Sequence, residues 1–297
     1  MKLFDPHVHM TSRSTDDYEA MAKAGIAAVV EPAFWVGQPR THVGTFEDYF
    51  LSLLGWERFR SQQFGIRHFC TMGLNPKEAN EPRVAAGVID LLRRYLEKDG
   101  VVAVGEIGYD EQNEVEHHYF KTQIELAREF ELPILIHTPH RDKKRGTERT
   151  IALVKECKFP PELTLIDHNN EETLPMVLAS GCWAGHSIYP HTKMDETRMV
   201  ALIKQYGSNK MIVNSAADWG VSDPLKVPKT AAGMRAAGFE DDVISKVLWD
   251  NSVAFFAQSG RLDLQEVAVD LQVDQRNLWE GNSVLRGQAP RVDSDEA

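Results

Sequence analysis

Eight short apolar runs, each followed by a longer stretch, mostly of helical pattern, set the strongest limit on how these 297 residues can fold. The runs lie near Lys2–His7, Ile26–Glu31, Ile66–Gly73, Val101–Ile107, Pro133–His137, Leu163–His168, Cys182–Ser187 and Met211–Ser215. Several are nearly continuous, such as Val101-Val102-Ala103-Val104 and Ile134-Leu135-Ile136, which is the composition of a strand covered on both faces. Between them, Glu116–Glu131 places Phe120, Ile124, Ala127 and Phe130 on one stripe, and Pro82–Lys98 and Met194–Tyr206 share that period. Gly25, Gly100 and Gly181 each separate a helix from the next strand, where a helix end favours positive φ. Alternating strand–helix pairs specify a parallel sheet. Eight of them predict a TIM-type (β/α)8 barrel that occupies residues 1–260 as a single domain. An open doubly wound sheet usually has fewer strands, and no G-x-G-x-x-G turn follows the first one. Residues 261–297 read as a short C-terminal extension, with Trp279 and Leu285 able to pin part of it and a partly disordered polar tail.

Ligand-type side chains stand where those strands should end. His7 and His9 form an H-x-H pair after the first strand, and residues two apart in extended backbone project to one face. Glu106 ends the fourth strand in Gly105-Glu106-Ile107-Gly108, His137 ends the fifth, and His168 ends the sixth. Asp218 follows the eighth in Asn214-Ser215-Ala216-Ala217-Asp218, with Asp223 as a weaker rival. In a barrel these positions converge on the C-terminal face. Four imidazoles and two carboxylates suit divalent ions. Two ions about 3.5–4 Å apart need a bridging ligand, and Glu106, with two oxygens, is the candidate. Four other histidines, His42, His68, His117 and His118, read as ordinary surface or core residues.

A net charge of −11 argues against a groove for long nucleic acid, although bound cations would reverse the local field at a site. Three cysteines, Cys70, Cys157 and Cys182, have no metal-like spacing and form no even disulfide set, which fits a reducing cytoplasm. No apolar segment approaches the length of a membrane span.

The chain resembles the TatD-like metal-dependent hydrolases of the amidohydrolase superfamily over residues 1–258, as a divergent member. Asp5-Pro6-His7-Val8-His9 is similar to that family's opening D-x-H-x-H, and Gly105-Glu106-Ile107-Gly108-Tyr109-Asp110 to its G-E-I-G-L-D. Phe120, Gln123, Leu126 and Ala127, then Leu132-Pro133-Ile134-Leu135-Ile136-His137-Thr138, follow at family-like spacing. Asn251-Ser252-Val253-Ala254-Phe255-Phe256 resembles the closing N-x-x-x-x-F element. The resemblance implies a TIM-type barrel with two divalent ions, of zinc, manganese, magnesium, iron or nickel. It implies that His7 and His9 bind one ion, that His137 and His168 bind the other, and that Glu106 bridges. Asp218 would then bind the first ion and deprotonate the attacking water.

Three stretches depart from the family pattern. Glu-Thr-Asp after the eighth strand is replaced by Asn214-Ser215-Ala216-Ala217-Asp218, and Gly-x-His-Pro after the third by Gly73-Leu74-Asn75-Pro76. Gly185-His186-Ser187-Ile188-Tyr189-Pro190-His191 introduces two histidines after the seventh. These changes favour a small or medium organic substrate bearing a phosphoester, ester, lactone or amide over the DNA cleaved by some members. A metal-binding barrel without catalysis, serving as a pathway partner, is the alternative of another class. Asn75, Tyr109, His140, Arg141 and His186 are the candidate substrate contacts, His140 and Arg141 lying in the most basic loop near the mouth.

Overall fold

The computed structural model describes residues 1–189 and 191–266. Eight strands form one parallel sheet in chain order: β1 (Leu3–Asp5), β2 (Ile26–Pro32), β3 (Arg67–Met72), β4 (Val101–Gly108), β5 (Ile134–His137), β6 (Thr164–Ile166), β7 (Trp183–Ser187) and β8 (Met211–Asn214). The sheet curls into a nearly closed (β/α)8 barrel with helices in the connections, as the alternating pattern predicts. Ala216 N donates to His7 O at 2.8 Å and His9 N to Ala217 O at 2.8 Å, so the seam between β8 and β1 is stitched at its C-terminal end. Those bonds engage the ligand-bearing segment itself.

Alternate residues of most strands feed two apolar layers, as the period of two requires, while β4 breaks the alternation by sending both Val102 and Ala103 to the second one. Leu3, Val29, Cys70, Val104, Ile134, Ile136 and Val213 belong to the layer shared with the helices. Phe4, Val30, Phe69, Val102, Leu135, Leu165 and Ile212 form the second cluster with Phe255 and Phe256. Those two phenylalanines end the helix Asn251–Phe256, and Phe256 packs on Phe4 at 6.1 Å between ring centroids. Asn251 Nδ2 donates to Ser208 O and Met211 O, both at 2.7 Å, which binds this helix to the start of β8. The helix therefore seals the end of the barrel opposite the ligand-bearing loops.

Most strands are shorter than the apolar runs that predict them, and β6 and β8 show why. Pro161–Leu163 forms a single 3-10 turn, which delays β6 to Thr164, and a φ of 61° at His168 takes the chain out of extended geometry. Ala216 has φ 44°, so β8 stops at Asn214 and Asp218 stands in the following loop. The expected helices appear as Ala85–Tyr95, Glu114–Glu129 and Glu196–Tyr206. Gly25, Gly100 and Gly181 have φ of 93°, 86° and 83°, the left-handed geometry assigned to them from sequence. Beyond Gly260, residues 261–266 run along the barrel base, where Leu262 and Leu264 pack on the second cluster and Arg67 pairs with Asp263 at 3.0 Å. Trp279, Leu285 and the polar tail lie outside the described residues. Among those described, no helix is long and apolar enough to cross a membrane.

One glycine links fold to site. Gly108 closes β4 with φ 142°, and a Cβ there would overlap the carbonyl oxygen of His137 on β5. Gly108→Ala is expected to cost about 2–5 kcal/mol, from a backbone region nearly restricted to glycine and from the clash. Urea unfolding followed by circular dichroism measures the loss, and a variant as stable as the wild type contradicts the assignment.

Candidate metal centre

The H-x-H segment leaves β1 and is held on both sides. Val8 N donates to Val30 O at 3.1 Å, while the seam bonds described above fix His7 and His9 against β8. The turn after His9 is clamped by Glu31 of β2, whose Oε1 accepts from Thr11 N at 2.8 Å and Thr11 Oγ1 at 2.9 Å. Oε2 of the same carboxylate pairs with His68 Nε2 at 2.9 Å, with both side chains fully buried. His68 thus supports the turn from the neighbouring strand, which gives a structural role to one of the histidines read as ordinary.

Glu106 occupies the middle of the cluster. Its Oε1 lies 3.0 Å from His137 Nδ1, 3.1 Å from His168 Nε2 and 3.7 Å from His7 Nε2. Its Oε2 accepts from Asn75 Nδ2 at 3.1 Å. His7 Nε2 meets His9 Nε2 at 3.0 Å, and the His9 ring stacks on Phe34 with centroids 3.6 Å apart. Ligand atoms of His7, Glu106 and His168 all lie within 4.8 Å of one another, close enough to hold one ion. His9 Nδ1 is buried with no partner among the described residues.

The outward nitrogens of two of the histidines are tied down, which aims the inner ones. His7 Nδ1 binds Asp167 Oδ2 at 2.6 Å, and His168 Nδ1 meets Ser187 Oγ at 2.6 Å. Asp167 also accepts from Asn214 Nδ2 at 3.0 Å on each oxygen and from His168 N at 2.7 Å. Such outer partners fix ring orientation and tautomer in metal sites. A Cβ on Gly185 would overlap Asp167 Oδ1, so the small residue of β7 makes room for this carboxylate.

Burial shapes the charge of the cluster. It pushes His9 and His168 well below the ordinary histidine range, leaving them neutral, the form that ligates a metal. Burial opposes the charge on Glu106, but His137, His168 and His7 outweigh it and hold the carboxyl well below its usual range. Asp167 is likewise held low against burial by His168 and His7. His7 is also opposed by burial, yet its bond to Asp167 and the charge of Glu106 raise it. Buried, neutral imidazoles around an ionised carboxylate form a nitrogen–oxygen donor set that fits divalent ions.

A small open cavity lies over this cluster, lined by all five central residues and by Asp218. Asp218 Oδ1 accepts from Tyr189 OH and Gly220 N, each at 2.8 Å. The rival Asp223 instead pairs with Lys229 and does not line the cavity. Asn75 and His140 are in the lining; burial first, then His137 and Lys193, push His140 down to about 4, so it is uncharged at neutral pH. The other three candidate contacts fall outside it. Tyr109 is buried with its hydroxyl 2.7 Å from His117 Nδ1, and the Arg141 side chain is exposed. On β7, Ser187 reaches His168 while His186 alternates to the opposite face, its Nδ1 3.3 Å from Ile212 O. His191 is exposed. The lining also contains Phe34, Trp35, Lys77 and Lys193, which carry no motif and were not singled out from sequence.

Asp167→Asn keeps the size of the side chain and removes the charge that orients His7. Metal affinity is expected to fall about 10–100-fold. Titration calorimetry with zinc or manganese on the metal-stripped chain measures this, with circular dichroism to verify folding. Unchanged affinity would contradict the role given to Asp167.

The sequence model of the family described as TatD related DNase matches residues 4–257. An uncharacterized metal-dependent hydrolase of Methanocaldococcus jannaschii is 27% identical over 257 residues, spanning 86% of this chain and 99% of that protein. The crystal structure of a TatD-like protein from Archaeoglobus fulgidus superposes with a TM-score of 0.73 at 28% identity, covering 85% of this chain and 99% of its own. A 3'-5' ssDNA/RNA exonuclease TatD of Pantoea ananatis is 38% identical over 139 residues, 44% of this chain and 50% of that protein. The organophosphorus hydrolase of Deinococcus radiodurans, in a triple-mutant form, shares the fold with a TM-score of 0.64 at 15% identity, covering 86% of this chain and 92% of its own. The strand order, the histidine–carboxylate cluster and the match over nearly the whole barrel make this chain a metal-dependent hydrolase belonging to the TatD related DNase family.

Proposed function

We propose that the protein hydrolyses phosphoester bonds of compact substrates with two divalent ions bound at this cluster. His7 and His9 would hold one ion with Asp218, His137 and His168 the other, and Glu106 would be shared. The observation that carries the reading is the position of Glu106 Oε1, within 3.7 Å of nitrogens from three histidines on three different strand ends. The family match adds the bond type, since the family is described as DNases and one relative as an exonuclease on single-stranded DNA and RNA.

Divalent ions at such a site supply Lewis acidity, which acidifies water toward neutral pH and neutralises charge on the substrate's oxygens. The chain's own groups do the rest. Tyr189 and Gly220 fasten Asp218 through Oδ1, and Oδ2 has no hydrogen bond among the described residues, so Oδ2 is the oxygen that takes the proton of the attacking water. As the water oxygen bonds to phosphorus, the P–O ester bond breaks, and Asp218 passes its proton to the departing oxygen. Asn75 lacks a basic atom and acts by holding Glu106 Oε2. Neutral His140 at the wall can accept or donate one hydrogen bond to the substrate.

A second reading, removal of nucleotides from single-stranded nucleic acid, is favoured by the Pantoea relative and by an aromatic pair at the rim. Trp219 is 54% exposed and meets Trp35 edge-on at 6.0 Å, a surface on which a base can stack.

Asp218→Asn is expected to retain most of the metal and lose about 10²–10⁴-fold in kcat. The assay panel is bis(p-nitrophenyl) phosphate, p-nitrophenyl phosphate, a lactone, a carboxylic ester and a short single-stranded oligonucleotide, with manganese or zinc and with EDTA. Phosphoester turnover that EDTA abolishes and the variant lacks supports the proposal. Turnover confined to the lactone or carboxylic ester, or a variant as fast as the wild type, overturns it, and preference for the oligonucleotide selects the second reading.

A further inference from the structure

The cavity holds a cation that neither the sequence motifs nor the proposed chemistry accounts for. Lys193 lies in the loop after β7, and that loop is folded back on itself. Tyr189 N donates to Met194 O at 3.0 Å, Met194 N to Ser187 O at 3.3 Å and Lys193 N to Tyr189 O at 3.3 Å. Arg198 Nη1 donates to Lys193 O at 2.8 Å, and Arg198 is itself gripped by both oxygens of Glu171 at 2.8 and 2.6 Å. The backbone of Lys193 is therefore held by turn and helix together.

Its side chain lies over the Tyr189 ring, with Nζ 5.0 Å from the centroid, beside the tyrosine that fastens Asp218. It lines the cavity with His7, His9, Glu106 and Asp218. Two nearby lysines are differently placed. Lys77 pairs with Asp110 at 3.0 Å, and Lys143 donates to Thr138 Oγ1 at 2.9 Å. The Lys193 ammonium has no hydrogen bond or ion pair among the described residues. Burial pushes its pKa down, against the pull of Glu106, Asp167 and Asp218.

A confined cation without a partner is costly, and this chain has carboxylates to spare, with 44 acidic against 33 basic residues. Occupied metal sites would make the cost larger. Four positive charges from two divalent ions exceed the three carboxylates that face Lys193, so its surroundings become net repulsive. An anion that enters with the substrate offsets this excess and gives the ammonium a partner.

We infer that Lys193 is the residue that recognises a charged non-bridging oxygen of the substrate, so that this site takes phosphoesters that retain a negative charge, monoesters or diesters, in preference to neutral triesters, lactones and amides. This rests on the metal-centred reading above. Lys193 meets the oxygen that stays charged through the reaction, leaving attack and proton transfer to the cluster and Asp218.

The test is titration calorimetry of inorganic phosphate into the metal-reconstituted full chain, as wild type, Lys193→Met and Lys193→Arg, with metal content measured in each. Losing one charge-assisted bond should weaken phosphate about 10–100-fold in Lys193→Met, while Lys193→Arg stays within about threefold and metal content is unchanged. Equal phosphate affinity in Lys193→Met and wild type overturns the inference, as does a wild-type holoprotein that binds no phosphate. Phosphate binding that depends on Lys193 in a protein without phosphoester turnover would remove the proposed reaction and the substrate preference with it, leaving Lys193 only its contact with a charged oxygen.

Discussion

A buried carboxylate, Asp167, joins the parts of the site that come from opposite ends of the chain. It accepts hydrogen bonds from Nδ1 of His7 at the β1 end, from the amide of Asn214 of β8 and from the backbone N–H of His168 in its own loop. Without it, His7 has no reason to present Nε2 inward, and the space opened by Gly185 would be a void. Its charge is stabilised by the histidines it orients, so anchor and cluster depend on one another.

The same logic runs outward. Glu31 holds the turn after His9 and is itself held by His68, a buried pair whose geometry matters because a single unpaired charge there would be costly. Asn75 takes the free oxygen of Glu106, Ser187 takes the free nitrogen of His168, and Phe34 covers the face of His9. β2, β3, β6, β7 and β8 thus each contribute, through the strand or its following loop, a group that positions a cluster residue rather than being one. This is why a metal site on a barrel rim can be both open to substrate and rigid.

The fold was legible because each strand is a dense apolar run and each connection after it has a different period. The five side chains gathered in the cluster were legible for a related reason: each stands at or just after a strand end, which an apolar run makes easy to locate. Asp218 lines the cavity despite its shifted motif, and Ala216, at φ 44°, turns the chain out of β8 just before it. His186 was misplaced because a sequence shows proximity to a strand end but not which face a side chain takes. Arg141 and Tyr109 failed in the same way, one turning to solvent and the other into the wall. Lys193 and Asp167 were overlooked since neither type is diagnostic alone: a lysine in a polar loop and an aspartate beside a histidine acquire meaning only from what they face.

The central claim is that the cluster around Glu106 binds metal, in a pair of sites that share that carboxylate. Metal stoichiometry by inductively coupled plasma mass spectrometry tests it most directly, on the full chain stripped with chelator, reloaded with zinc or manganese and passed through a desalting column. The account predicts two ions per chain in the wild type, about one in His168→Ala and fewer than one in Glu106→Ala, because only the glutamate serves both sites. A wild-type chain that retains no ion, or a Glu106→Ala chain that still holds two, would contradict it.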